Sequence, residues 1–276
     1  MKLRPFALAL ITALSFTGCF QIDKSVQVKP DGSGTITETV TLASAMLEQL
    51  KAIQAGFGGT PDAGGKPKAF ELFDEAKLKE EAKKMGEGVT FSSGKKISDK
   101  GREGYTAIYA FTDLNKVRLS TNPPDMAGGA GDLVKGKADT EPVTFKFTPG
   151  KTAELAVNTP AMKAVAPKGK DEAAADAAQD AMNEAMLPMI QQMFKDMHMS
   201  MSVEVVGKIT ATNGEYKEGS RVTILDVDFN KILADPAKIK AMTKIKDPNS
   251  AEARAFLKTV PGMKVEAANP LKISFQ

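Results

Sequence analysis

The side chains best suited to chemistry gather in one stretch. Seven of the fourteen methionines fall between residues 182 and 201. Met182, Met186, Met189, Met193 and Met197 are spaced by four, three, four and four, which stacks them on one face of a helix. Directly beyond, Met197-His198-Met199-Ser200-Met201 sets the sole histidine among soft thioethers, a donor set suited to Cu(I). The same spacing serves two blander ends. Ile190 adjoins the stripe, and Met199 and Met201 continue a strand alternation into Val203 and Val205. Methionine fills cores and adaptable apolar surfaces alike. Met182, Met186, Met189 and Met193 therefore read first as core, second as an apolar binding surface. Copper at Met197, His198 and Met199 is the third reading.

Other motifs fall short of the chemistry they suggest. Gly131 to Lys137 has P-loop spacing, but Ala138 stands where a Ser or Thr must bind Mg²⁺, and no apolar strand leads into it. Gly150-Lys151-Thr152 repeats the tail of that motif with Phe145 in place of its first Gly. Asp226-Val227-Asp228-Phe229-Asn230 opens like a calcium loop, yet Lys231 takes the obligatory Gly and Ala237 the bidentate Glu. There is no Gly-x-Ser-x-Gly elbow and no His-Glu metal motif. Acidic pairs such as Asp74-Glu75 lie in helical sequence, where exposed charge is the ordinary outcome. A hydrolase with two carboxylates brought together by the fold stays open as an alternative; the expectation is a chain without enzyme activity or cofactor.

Composition narrows the classes further. With 42% hydrophobic and 26% charged residues, the 276-residue chain has a globular balance. Lys and Arg number 37 against 34 Asp and Glu, too even to suggest nucleic-acid binding. One Cys permits no internal disulfide, and one His permits no multi-His metal site.

The elements that must position these residues alternate between hairpins and helices. Ser25 to Pro30 and Thr35 to Leu42 alternate apolar and polar residues around the turn residues Asp31-Gly32-Ser33-Gly34, the pattern of a β-hairpin. Met46, Leu50, Ile53 and Phe57 follow at helical spacing, and a second helix is expected from Phe70 to Met85. Hairpins are expected over Val89–Ile97 with Tyr105–Phe111 and over Val143–Phe147 with Ala153–Val157. A further one pairs Met199–Ala211 with Ser220–Asp228. Residues 56–67 and 121–141 are Gly/Pro-rich connections. Asp171 to Met197 is a long helical pattern that Pro188 should kink or divide. Short helices are expected after Asp235-Pro236 and over Ser250–Val260, with two short strands closing the chain. This interleaving, without βαβ units, predicts an α+β fold of mainly antiparallel hairpins and amphipathic helices. Asp113-Leu114-Asn115-Lys116 and Asp228-Phe229-Asn230-Lys231 each follow a strand at the same distance from a Gly, suggesting a duplicated helix-plus-hairpin unit. Two regions, 19–158 and 159–276, follow a leader at 1–18, and the two could form a single domain.

The leader carries a family resemblance. Met1-Lys2-Leu3-Arg4 is a basic head, and Phe6 to Phe16 is almost wholly apolar, too short for a membrane span but suited to an export signal. Phe16-Thr17-Gly18-Cys19 then resembles the lipobox at which bacterial lipoproteins are cut before an invariant Cys, with Phe16 in place of the usual Leu. The resemblance implies cleavage after Gly18 by the lipoprotein export and maturation machinery. Cys19 would then carry a diacylglycerol, and in many bacteria an N-acyl chain, anchoring the protein to the cell envelope. Phe20 follows, not the Asp associated with inner-membrane retention, which implies the outer membrane, at its periplasmic face or the cell surface, in a two-membrane cell. Cys19, the hairpin around Asp31-Gly32-Ser33-Gly34-Thr35 and the helix after it are also similar to the start of the LppM-like lipoproteins. Those are envelope proteins with an α+β body and lipid-related ligand binding. That resemblance covers about Cys19 to Leu50 and transfers no functional residue.

The sequence therefore suggests a lipid-anchored, non-catalytic envelope protein that binds a protein partner or an apolar, lipid-like ligand. Cys19 is its link to the membrane, and the Gly/Pro-rich segments and the Met-rich helix are candidate lips and wall. A Cu(I)-handling lipoprotein is the first alternative.

Overall fold

The computed structural model describes residues 20–48, 51, 71–121, 141–160, 194–242, 245, 247 and 250–276. Its first hairpin follows from alternation. In β1 (Phe20–Val28) and β2 (Gly34–Ala43) the even-numbered residues turn inward, so Phe20, Ile22, Val26 and Val28 share a face with Ile36, Val40 and Leu42. β3 (Thr90–Asp99) and β4 (Arg102–Phe111) add to β2 as a second hairpin, with Tyr105, Ala107, Tyr109 and Phe111 inward. On the other side of β1, β8 (His198–Val205) runs parallel to it and β11 (Arg221–Asp228) antiparallel to β8. Short strands β10 (Lys217–Glu218) and β12 (Met263–Val265) both pair with β11. The first sheet thus runs β10-β11-β8-β1-β2-β4-β3, with β1 at its middle.

A second, antiparallel sheet is built in the order β5 (Arg118–Leu119), β6 (Val143–Thr148), β7 (Ala153–Asn158), β13 (Leu271–Phe275), β9 (Ile209–Thr212). Phe145, Phe147, Leu155, Val157, Ile273 and Phe275 from this sheet and the inner residues of the first belong to one apolar cluster. Sheet on sheet is a stable way for two half-apolar layers to hide from water.

This architecture corrects the expected α+β fold: the protein is mostly β. Among the described residues the longest helix is α1 (Glu75–Lys84), capped by Asp74 and burying only Leu78 and Ala82. The others, α2 (Phe229–Leu233), α3 (Pro236–Met242) and α4 (Ala251–Leu257), are one or two turns long. They enclose a small cluster of Val227, Ile232 and Val260 beside the main core. Helical segments do alternate with hairpins along the sequence, but the two sheets supply the core, and those helices only flank it. The expected helix around Met46 is described over 44–48 and at 51, and most of the Asp171–Met197 pattern lies outside the described residues.

Nor do the described residues form a duplicated helix-plus-hairpin unit. In the β3–β4 hairpin the second strand is the inner one, antiparallel to β2; in the β8–β11 pair the first strand is inner, parallel to β1. The similar sequences share a local device instead. Asp113 caps a 3-10 turn over Leu114–Lys116, and Asp228 caps α2, each accepting a bond from the Asn two residues on. The expected strand Met199–Ala211 is likewise two strands in different sheets. Gly207, at φ 135°, turns the chain between them where a Cβ would lie 2.2 Å from the carbonyl of Gln276.

Candidate functional site

β8 decides what the Met/His cluster can do. Strand alternation sends Met199 and Met201 to the inner face, and Met197, just before the strand, is buried as well. His198 points to the opposite, solvent-facing side of the sheet. Its Nε2 lies 2.8 Å from Oδ1 of Asp226 on β11, and Lys264 of β12 approaches that carboxylate at 3.8 Å. The imidazole and the thioethers of Met199 and Met201 are therefore on different sides of the sheet, with a carboxylate as the imidazole's partner. Ser200 follows on the same outer face and donates to Asp23 of β1. Among the described residues no group of three or more His, Cys, Asp or Glu is placed to hold a metal ion. Met182, Met186, Met189 and Met193, and the candidate lips at 56–67, lie outside the described residues, as does nearly all of 121–141.

A polar cluster that sequence reasoning missed sits on the inner face. Lys24 and Glu38 are directly opposite each other across β1 and β2, and both point into the core. Lys24 Nζ lies 3.0 Å from Glu38 Oε2 and donates to the carbonyl of Ser120 at 3.3 Å. The Tyr105 hydroxyl donates to Glu38 Oε1 at 3.0 Å. Both carboxylate oxygens are engaged, which is what a buried charge requires. Burial, and next the charge of Glu38, push the Tyr105 phenol well above its ordinary range. Two pleat repeats further along β4, Tyr109 is fully buried and edge-on to Phe91. Its phenol is raised by burial and then by Glu38 and Glu81, and its hydroxyl has no hydrogen-bond partner among the described residues. The signal was in the sequence: Lys24 and Glu38 are in phase with the apolar residues of FQIDKSVQV and GTITETVTLA. Starting the strand at Ser25 hid the first of them.

Three of the acids that face solvent are occupied locally. Asp23 accepts from Ser200, Asp226 faces His198 and Lys264, and Asp228 caps α2 while pairing with Lys231 at 3.0 Å. Two more, Asp247 and Glu252, line a shallow hollow with Ile245, Ala253 and Phe256. Glu252 lies in the first turn of α4, where a carboxylate complements the helix dipole.

The lipobox residues Phe16, Thr17 and Gly18 and the candidate anchor Cys19 lie outside the described residues, but the residue after them is informative. Phe20 is the first residue of β1 and is buried, so a core residue of the first strand directly follows Cys19 in the chain. No helix among the described residues is long and apolar enough to cross a membrane.

No protein-family model matches the chain, and no curated protein is significantly similar to it. Among solved structures, the folded domain of the LppM protein of Mycobacterium tuberculosis, determined by NMR, matches with a TM-score of 0.30 and 10% sequence identity. The match covers 96% of this chain and 94% of that one.

Proposed function

We propose that the chain is an exported, lipid-anchored and non-catalytic protein of the cell envelope, tethered through Cys19, whose β body binds a protein partner or an apolar ligand. The observation that carries this reading is the position of Phe20. A lipobox-like cut before Cys19 would remove the whole leader and leave an anchor next to a buried residue of the central strand, with every ordered strand intact. Two or three acyl chains on one Cys hold a protein stably on a bilayer where a single chain does not. The ligand half of the reading rests on the Met-rich stripe. Met197, the last member of that stripe, is packed in the core, which favours core packing at that end of it.

The test is expression of the full chain in a bacterial host with labelled palmitate and intact-mass analysis. The expected product lacks residues 1–18, carries the label, and sediments with membranes. Cys19→Ser should lose the label and the membrane association together. A Cys19→Ser protein that still sediments with membranes would overturn the anchor. For the ligand, native mass spectrometry of Phe20–Gln276 purified from an export host separates the two options. Copurified lipid supports an apolar ligand, and a clean apo mass, unchanged by added lipid, favours a protein partner.

A further inference from the structure

We infer that the protein stands upright on the bilayer, resting on the rim of the first sheet where β1 begins, with the far rim held about 30 Å out. This rests on the lipid anchor proposed above and adds to it a docking surface and an orientation.

The tether leaves almost no slack. Successive Cα atoms are about 3.8 Å apart, so a lipidated Cys19 lies within one residue of Phe20, which is itself fixed in the core. The anchor also sits at the middle of the rim and not at a corner, because β1 is the central strand of seven. At that rim three strands flank it on each side, β8, β11 and β12 on one and β2, β4 and β3 on the other, while β10 pairs with β11 only at the far end. A body held at a corner could swing; one held at the middle of an edge about seven strands wide, at about 4.8 Å per strand, is seated by it.

Strand direction says which residues share that rim. β8 is parallel to β1 and starts there with His198, and β2 ends there at Ala43. β4 begins there at Arg102, paired with Asp99 at the end of β3, so the turn Lys100-Gly101 closes the same edge. The nine residues of β1 then run away from the membrane for about 30 Å at about 3.4 Å per residue. The β1–β2 turn at Lys29–Ser33 and the exposed Val206 are at the distal rim. The outer face bearing His198, Ser200 and Asp23 consequently runs along the membrane normal and stays in water.

The lipidated mature protein tests this directly, since its own Cys is blocked and a second Cys can be labelled alone. Asp99→Cys and Lys29→Cys, both at exposed positions, would each carry an environment-sensitive nitrobenzoxadiazole dye. Each is reconstituted into phosphatidylcholine vesicles containing a headgroup-nitroxide lipid, and acylation of Cys19 is checked by intact mass. Quenching severalfold stronger at Asp99→Cys than at Lys29→Cys is the expected result. Acylated protein quenched equally at both positions, or more at Lys29→Cys, overturns the orientation while leaving the anchor in place. An intact mass without acyl chains overturns the anchor, and this inference with it.

Discussion

Removing one member of the Lys24–Glu38 pair should damage the protein far more than removing both. Lys24 and Glu38 side chains are only 9% and 4% exposed, and their ends lie 3.0 Å apart. Glu38→Leu leaves an ammonium in the core with the carbonyl of Ser120 as its remaining hydrogen-bond acceptor among the described residues, and leaves the Tyr105 hydroxyl without its acceptor. Breaking a buried pair in this way costs about 3–5 kcal/mol, a large share of the roughly 5–15 kcal/mol that holds a domain folded. For a chain of this size that corresponds to a fall in Tm of about 10 °C. Lys24→Met alone should cost a similar amount. The double variant Lys24→Met/Glu38→Leu replaces two charges by apolar groups of similar volume but still leaves the Tyr105 hydroxyl without its acceptor, so it should recover most of the loss and lie at most about 1–3 kcal/mol below the parent. Urea unfolding of Phe20–Gln276, followed by circular dichroism, measures all four corners of the cycle. If Glu38→Leu costs under about 1 kcal/mol, or the double variant is as weak as the worse single one, the pair is not the closed, desolvated unit described above.

Four further outcomes follow from the same geometry. Tyr109→Phe deletes a buried hydroxyl that has no partner among the described residues, so urea unfolding should show no loss and a gain of up to about 1 kcal/mol. Gly104→Ala would set a Cβ 1.9 Å from the Val40 carbonyl; prying β4 from β2 should cost about 1–3 kcal/mol and lower Tm measurably. All three tyrosine phenols are raised in the folded state, Tyr105, Tyr109 and Tyr216 each primarily by burial. Unfolded phenols release their protons near pH 10, so this stability is complete below about pH 10 and is lost as the pH climbs toward the folded values. Ultraviolet titration at rising pH should show the phenolates of the buried Tyr105 and Tyr109 appearing with loss of structure, not ahead of it. Finally, changing Met197, His198 and Met199 together to Leu, Gln and Leu should leave a Cu(I) titration of the mature chain unchanged. A stoichiometric site abolished by that variant would contradict the separation of the imidazole and thioethers across the sheet.

Local pattern was legible wherever neighbours in sequence are neighbours in space. The β1–β2, β3–β4 and β6–β7 hairpins and the strand phase of Met199 and Met201 all follow from turn chemistry and alternation within about ten residues. The candidate anchor Cys19 was legible for the same reason, as a short linear motif. Which strands meet across long separations was not written there. β1 lies parallel to β8, some 177 residues further on, and the segment 198–212 leaves one sheet for the other at Gly207. Those pairings follow from burying two apolar sheet faces at once, a condition on the whole chain. They set helices aside as flanking pieces and part His198 from its neighbouring methionines. They also bring Lys24, Glu38 and Tyr105 into one buried cluster. Sequence alone determined the local hairpins and the residue types; the tertiary structure decided which of them could meet, because only packing fixes which face of a strand is inside.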